Sequence, residues 1–142
     1  MNNIDLRIKE LASFLDTSID NIEATDNPIL FIVDGIEEYL VCTDEEADQL
    51  ATDYIMDTLC YFNTDFIFYH SILNTENSDD NSCMELIRSL QDNDNNKAIL
   101  ELIEDVDIFI QDAIISDGRE HFIASYDGME NIQGDFYIYR YN

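Results

Sequence analysis

Residues 29–47 read ILFIVDGIEEYLVCTDEEA, and this stretch decides the fold. Ile29 to Val33 is a short run of β-branched and aromatic residues, the composition of a strand. Asp34-Gly35 follows, a pair suited to the positive dihedrals of a tight hairpin turn. Glu38 to Cys42 then reads as the returning strand. Thr43, with Glu46 three residues on, makes a capping box that opens a helix. Ala47, Ala51, Tyr54, Ile55, Thr58 and Phe62 predict its apolar face, with Glu45, Glu46, Asp53 and Asp57 turned away. A tight hairpin leading straight into a helix predicts an α+β fold: several helices packed on a small antiparallel sheet.

Upstream, Ile4, Ile8, Leu11 and Leu15 recur at helical spacing, with Phe14 beside them, and predict a helix from Ile4 to Leu15. Ile19 and Ile22 suggest a short helical turn that Pro28 ends. Downstream, Thr64 or Asp65 caps a helix through Leu73, and the polar Asn74 to Asn81 reads as a loop. Helices follow at Ser82 to Leu90 and at Asn96 to about Ile115, the second with a break near Asp105 to Asp107. Gly118 suits the residue after that helix. His121 to Tyr126 reads as a short strand, Asp127-Gly128 as a turn, and Phe136 to Tyr141 as a strand. No internal repeat or domain boundary stands out, and 142 residues suit one domain spanning 1–142.

Charge is the dominant feature of the composition. The chain holds 32 acidic and 6 basic residues, a net charge of -26. From Glu10 to Ile87 there is no lysine or arginine, against 19 Asp and Glu. Solubility asks for a net charge of only about 2–8 in magnitude, and self-repulsion of one sign destabilises a compact state. Apolar residues still make up 46% of the chain, with eight Tyr and eight Phe, so the sequence is that of a folded protein rather than an acidic tail. Ile and Asn abound, which points to an A/T-rich coding background and speaks against a salt-loving source. Lysine, whose codons are also A/T-rich, occurs twice, and that scarcity marks selection on the protein.

The usual chemical signatures are weak or missing. Cys42, Cys60 and Cys83 form no CxxC pair and read as reduced, partly buried thiols. The start, MNNIDLRIKE, lacks the pattern of a secretory signal, and no apolar run could span a bilayer, so a cytoplasmic location is expected. Asp92 to Asn96 begins like a calcium loop, but Lys97 stands where the turn glycine belongs and Ile103 where the bidentate Glu belongs. Asp117-Gly118-Arg119-Glu120-His121 gathers catalytic residue types without a marked nucleophile; Arg119 is expected to pair with nearby acids. His70 and the cysteines lack zinc spacing. No phosphate-binding loop or nucleophile elbow is found, and the sequence points to no cofactor, no metal and no enzymatic activity.

An acidic field of this size repels nucleic acid and attracts proteins that bind it. A chain of this length is about 35–40 Å across, and that length of duplex carries on the order of 20–24 phosphates. Carboxylates three or four apart on a helix lie about 5–6 Å from one another, close to phosphate spacing. Asp44 with Asp48 and Asp53 with Asp57 meet that condition, joined by Glu45 and Glu46. Glu37, Glu38, Asp79 and Asp80 extend the field from strand edges and loops. These ten are the expected partner-binding residues, and the expected partner is a basic nucleic-acid-binding protein. Of the alternating tail residues, Tyr137, Tyr139 and Tyr141 or Phe136, Ile138 and Arg140 offer a homodimer face.

Several motifs together resemble a family of small acidic proteins encoded by bacteriophages and prophages. They are Glu38-Tyr39-Leu40-Val41, Thr43-Asp44-Glu45-Glu46-Ala47-Asp48, Asp117-Gly118-Arg119 with His121-Phe122, Ser125-Tyr126-Asp127-Gly128, and the ending Tyr137 to Asn142. Glu120 departs from that family, which carries glycine there. The resemblance implies a phage setting. In charge alone the chain is similar to phage inhibitors that mimic DNA. The combined expectation is an inhibitor of a host defence protein, a CRISPR nuclease first and a restriction enzyme second. The alternative is an acidic assembly protein that binds a basic protein without displacing nucleic acid.

Overall fold

The hairpin forms where its sequence predicts. The computed structural model describes residues 2–142. Strand β2 spans Leu30–Val33 and β3 spans Glu37–Cys42, paired antiparallel with Val33 opposite Glu37. Asp34 and Gly35 take φ of 53° and 73°, the left-handed region in which Gly costs nothing and Asp is tolerated. Helix α2, Asp44–Asp57, follows without a loop. Its capping box is reciprocal: the Thr43 amide donates to Glu46 Oε1 at 2.7 Å, and the Glu46 amide donates to Thr43 Oγ1 at 3.2 Å. Ala47, Ala51 and Ile55 are fully buried, as the periodicity predicts. Tyr54 departs from that expectation and is half exposed. The helix stops at Asp57, so Thr58 and Phe62 continue no helical face; a single 3-10 turn, Leu59–Tyr61, follows instead.

Among the described residues the fold is α+β, with seven α-helices and one five-stranded antiparallel sheet. Backbone contacts group the chain into two compact units, residues 1–51 with 117–142, and residues 52–116.

The first unit holds the sheet, in strand order β1-β2-β3-β5-β4. Both edge strands escaped sequence reading. Strand β1, Ile22–Ala24, begins at a residue expected in a helical turn; that turn ends at Asn21. Strand β4 is Asn131–Gln133, too short and too polar to show alternation. Strand β5, Phe136–Arg140, pairs with both β3 and β4. Helix α1, Asn3–Leu15, is capped by the Asn2 side chain and ends on Asp16 in the left-handed region. It covers one face of the sheet, burying Leu11 and Ala12 with Ile22, Phe31, Val33, Tyr39, Val41, Phe136 and Ile138. The segment expected as a strand at His121 to Tyr126 is instead helix α7, Arg119–Ile123. Gly118 follows directly on the end of α6 at Asp117, as expected, with φ 85°, and also stands immediately before α7.

One buried cation organises this unit. Arg7 sits at helical spacing between Ile4, Ile8 and Leu11 on the apolar side of α1, and it is 3% exposed. A guanidinium removed from water needs charge and acceptors. It donates to Glu46 Oε1 at 2.7 Å and Oε2 at 3.1 Å, to the Val41 carbonyl at 2.6 Å and to Asn3 Oδ1 at 3.1 Å. Glu46 therefore points inward, against the expectation that it faces a partner. Burial pushes its carboxyl up, but hydrogen bonds from Arg7 and the Thr43 amide outweigh this and hold it below the ordinary range.

The second unit is helical: α3 Thr64–Tyr69, α4 Asp80–Asp92, α5 Asn96–Leu102 and most of α6 Val106–Asp117. The break at Ile103 to Asp105 falls beside the expected position. Helix α3 is capped by Asn63, not Thr64 or Asp65, and ends at Tyr69 rather than Leu73. Helix α4 starts at Asp80 with Asp79 as its cap, so the expected loop is shorter. Ile55, Leu59, Ile67, Ile87, Ile99 and Phe109 form its interior. No helix among the described residues is long and apolar enough to cross a membrane.

Glu46→Gln should lower stability by about 1–2 kcal/mol at pH 7, a value discounted because the carboxylate is partly exposed. Because the folded pKa lies below the unfolded one, Glu46's contribution is complete above the unfolded value. It is lost as pH falls through the folded value. Urea denaturation of wild type and variant should therefore show a stability gap at pH 7 that narrows below about pH 4.

Candidate functional site

The ten nominated carboxylates divide into two groups. Four of them already serve arginines of the first unit. Glu46 holds Arg7. Asp44 and Asp48 both accept from Arg119 Nη1, each at 2.8 Å. Glu37 accepts from Arg140 Nη2 at 3.2 Å. The helical spacing that made Asp44 and Asp48 resemble successive phosphates is the spacing that lets one guanidinium bind both. Glu37 and Glu38 also fail to act as a pair, because neighbours along β3 face opposite sides of the sheet. Glu38 lines up across the ladder with Ile32, and Ile32 with Glu23, on the face opposite α1.

Arg119 is the centre of a second network. Its side chain is 11% exposed, lies 4.6 Å over the ring of Tyr137, and reaches Glu130 Oε1 through Nε at 3.0 Å and Nη2 at 2.9 Å. The Tyr139 hydroxyl donates to the same Glu130 oxygen. Burial works against the guanidinium charge, but its bonds to Asp44 and Asp48 prevail and hold it more firmly protonated than usual. Burial and the Glu130 contact push the Tyr139 hydroxyl well above its ordinary range. The expected pairing of Arg119 with acids is present, though two partners lie over 70 residues away in sequence. His121, by contrast, is exposed and edge-on to Phe122. The residue types that made residues 117–121 look catalytic are thus split between a structural cage and the surface.

The remaining six nominated residues are Glu38, Glu45, Asp53, Asp57, Asp79 and Asp80. Asp53 and Asp57 lie one turn apart and exposed on α2, a separation of about 6 Å along the axis. Asp79 caps α4 through the Ser82 amide, and Asp80 accepts from the Ser78 hydroxyl at 3.1 Å; both are exposed. They belong to a larger set that spacing arguments missed. Residues 52–116 carry fourteen Asp and Glu against two cations, Arg88 and Lys97. All fourteen are exposed except Asp112, whose Oδ2 lies 2.7 Å from His70 Nε2. The acids occur on every helix of this unit and in the connections α3–α4, α4–α5 and α5–α6.

Other candidates have structural explanations. The loop that begins like a calcium site connects α4 to α5. There Asn95 caps α5 through the Ala98 amide, and Asn96 ties the end of α2 to the following turn through the Met56 carbonyl and the Leu59 amide. Gln91 accepts from the Thr64 hydroxyl and donates to the Phe62 carbonyl at 2.8 Å. His70 packs among Phe66, Tyr69 and Phe109, with Nδ1 3.0 Å from the Phe66 carbonyl. Among the described residues no group of three or more His, Cys, Asp or Glu is placed to hold a metal. The three cysteines are free thiols; Cys42 is buried, and burial pushes its pKa up to about 12.

Arg119→Lys should lose about 1–3 kcal/mol despite keeping the charge, because an ammonium cannot bind three carboxylates in a fork and stack on Tyr137. Thermal denaturation checks this. Iodoacetamide at pH 8 should leave Cys42 unmodified in the native protein and alkylate it after unfolding in urea, as read by peptide mass spectrometry. No known protein family, curated protein or solved structure matches the chain.

Proposed function

We propose that this protein acts by charge, as a non-enzymatic inhibitor that enters the basic nucleic-acid channel of a host defence protein and excludes DNA. The observation that carries this reading is the state of the acids in residues 52–116: fourteen carboxylates, thirteen of them exposed, with two cations between them. A solvated surface needs nothing of the kind. The field steers a cationic groove into contact, and the carboxylates then take the places of phosphates. An RNA-guided nuclease is the first target, since such enzymes hold nucleic acid in arginine-lined channels. A restriction enzyme is the second. The phage setting implied by the sequence resemblance fits both.

Contact is expected away from the carboxylates that arginines hold. Asp44, Glu46, Asp48 and Glu37 are committed to arginines and would have to release them to bind a partner. Asp53, Asp57, Asp79 and Asp80 are exposed, and the exposed acids of α4 to α6 join them.

A second reading has an observation of its own. Tyr61 and Tyr69 are 83% and 71% exposed in the same unit, and a phosphate mimic gains nothing from bare aromatic rings. They suit an assembly protein that grips a basic protein while its nucleic acid stays in place.

Affinity capture with the purified protein, against lysate of an infected host, should retain a basic nuclease that excess duplex DNA displaces. Binding should weaken by about tenfold or more between 50 and 300 mM salt. Capture indifferent to both DNA and salt would refute mimicry; a ternary complex with nucleic acid would favour the assembly reading. Asp53→Asn with Asp57→Asn and Asp79→Asn with Asp80→Asn should each weaken capture, whereas Asp44→Asn should chiefly destabilise the fold.

A further inference from the structure

Helix α6 reads VDIFIQDAIISD, with seven apolar residues and three Asp among its twelve. Here Phe109, Ile110 and Ala113 are buried, but Ile115 is 82% exposed and Ile108 is 50% exposed. The two lie seven residues apart, two turns along one face and about 10 Å from each other. Gln111 and Asp112 lie between them, and the exposed Asp105 and Asp107 flank the start of the helix. The Asp105 side chain also caps the Ile108 amide at 3.2 Å, which fixes one carboxylate beside the first isoleucine. The face is thus a pair of bare isoleucines bordered by carboxylates, with no Lys or Arg in the helix.

The border decides what covers it. A second copy would set Asp105, Asp107 and Asp112 against like charges, a repulsion no apolar contact of two side chains offsets well. An anionic membrane surface repels it for the same reason. A cationic amphipathic helix meets both conditions, with an apolar stripe for Ile108 and Ile115 and lysines or arginines for the rim. We propose that the outer face of α6 is the docking site for such a helix on the basic partner. This rests on the reading of the protein as a ligand for a basic protein, and it adds what charge alone does not supply: a fixed point of contact that tells one basic surface from another.

The test uses the full chain and two fluorescent 18-residue peptides read by anisotropy. One carries leucines at positions i, i+3, i+4 and i+7 with lysines elsewhere; the other has serine for each leucine at the same charge. The leucine peptide should bind about tenfold more tightly or better. Ile108→Ser with Ile115→Ser should remove that preference while leaving the serine peptide within twofold. Ile36→Ser, equally exposed in the hairpin loop, should change neither. Circular dichroism confirms that each variant folds. Equal binding of the two peptides, or a preference that survives the double variant, overturns this inference and leaves the charge reading standing. Failure of both peptides to bind at low salt overturns the charge reading as well. A dimer in sedimentation that Ile115→Ser dissolves would assign the face to a second copy and overturn the proposal.

Discussion

The guanidinium of Arg7 is the contact on which the sheet-bearing unit depends. It is buried, so it must be answered by a full charge, and the carboxylate that answers it is also the reciprocal cap of α2. Helix α1, the end of β3 and the start of α2 are joined through one side chain whose acceptors come from all three. In an ordinary protein many such cations exist. Here there are six, and three of them, Arg7, Arg119 and Arg140, are bound to carboxylates within this unit. All three are arginine, whose planar fork can hold two or three oxygens and lie on an aromatic ring at once; each of them sits over a ring of β3, of β5 or beside them.

The two units handle the same excess of acid differently. In the first, five of the acids, Glu37, Asp44, Glu46, Asp48 and Glu130, are tied to arginines and become part of the architecture. In the second, a neutral polar scaffold does the internal work: Asn96 and Gln91 satisfy the backbone around residues 56–62, and His70 sits in an aromatic cluster. The carboxylates are left on the outside.

How much of this was legible follows from the range of the forces involved. The hairpin, the capping box, α1 and the break before α6 are specified by neighbours within a few residues, and the sequence shows them. Strands β1 and β4 are three residues each, below the length at which alternation separates from a helical turn. Helix α7 has strand-like composition, but Gly118 and the anchoring of Arg119 set its course. Asn63 lies one residue before the expected cap because its side chain alone reaches two free amides of α3. For the site, spacing on α2 correctly put Asp44 and Asp48 on one line. It could not show that an arginine 71 residues beyond Asp48 occupies that line. The position of Arg7 among the isoleucines of α1 was the one visible sign of a buried charge.

The three-residue edges of the sheet have a consequence for colloidal behaviour. A chain with this charge stays dispersed by mutual repulsion, and a cationic partner or strong salt removes that protection. Many sheet proteins would then add strand to strand at their open edges. With only Ile22–Ala24 and Asn131–Gln133 at the borders, each edge offers too few backbone groups to template a neighbour. The protein can surrender its charge to whatever it binds and still remain a discrete particle rather than the seed of a polymer.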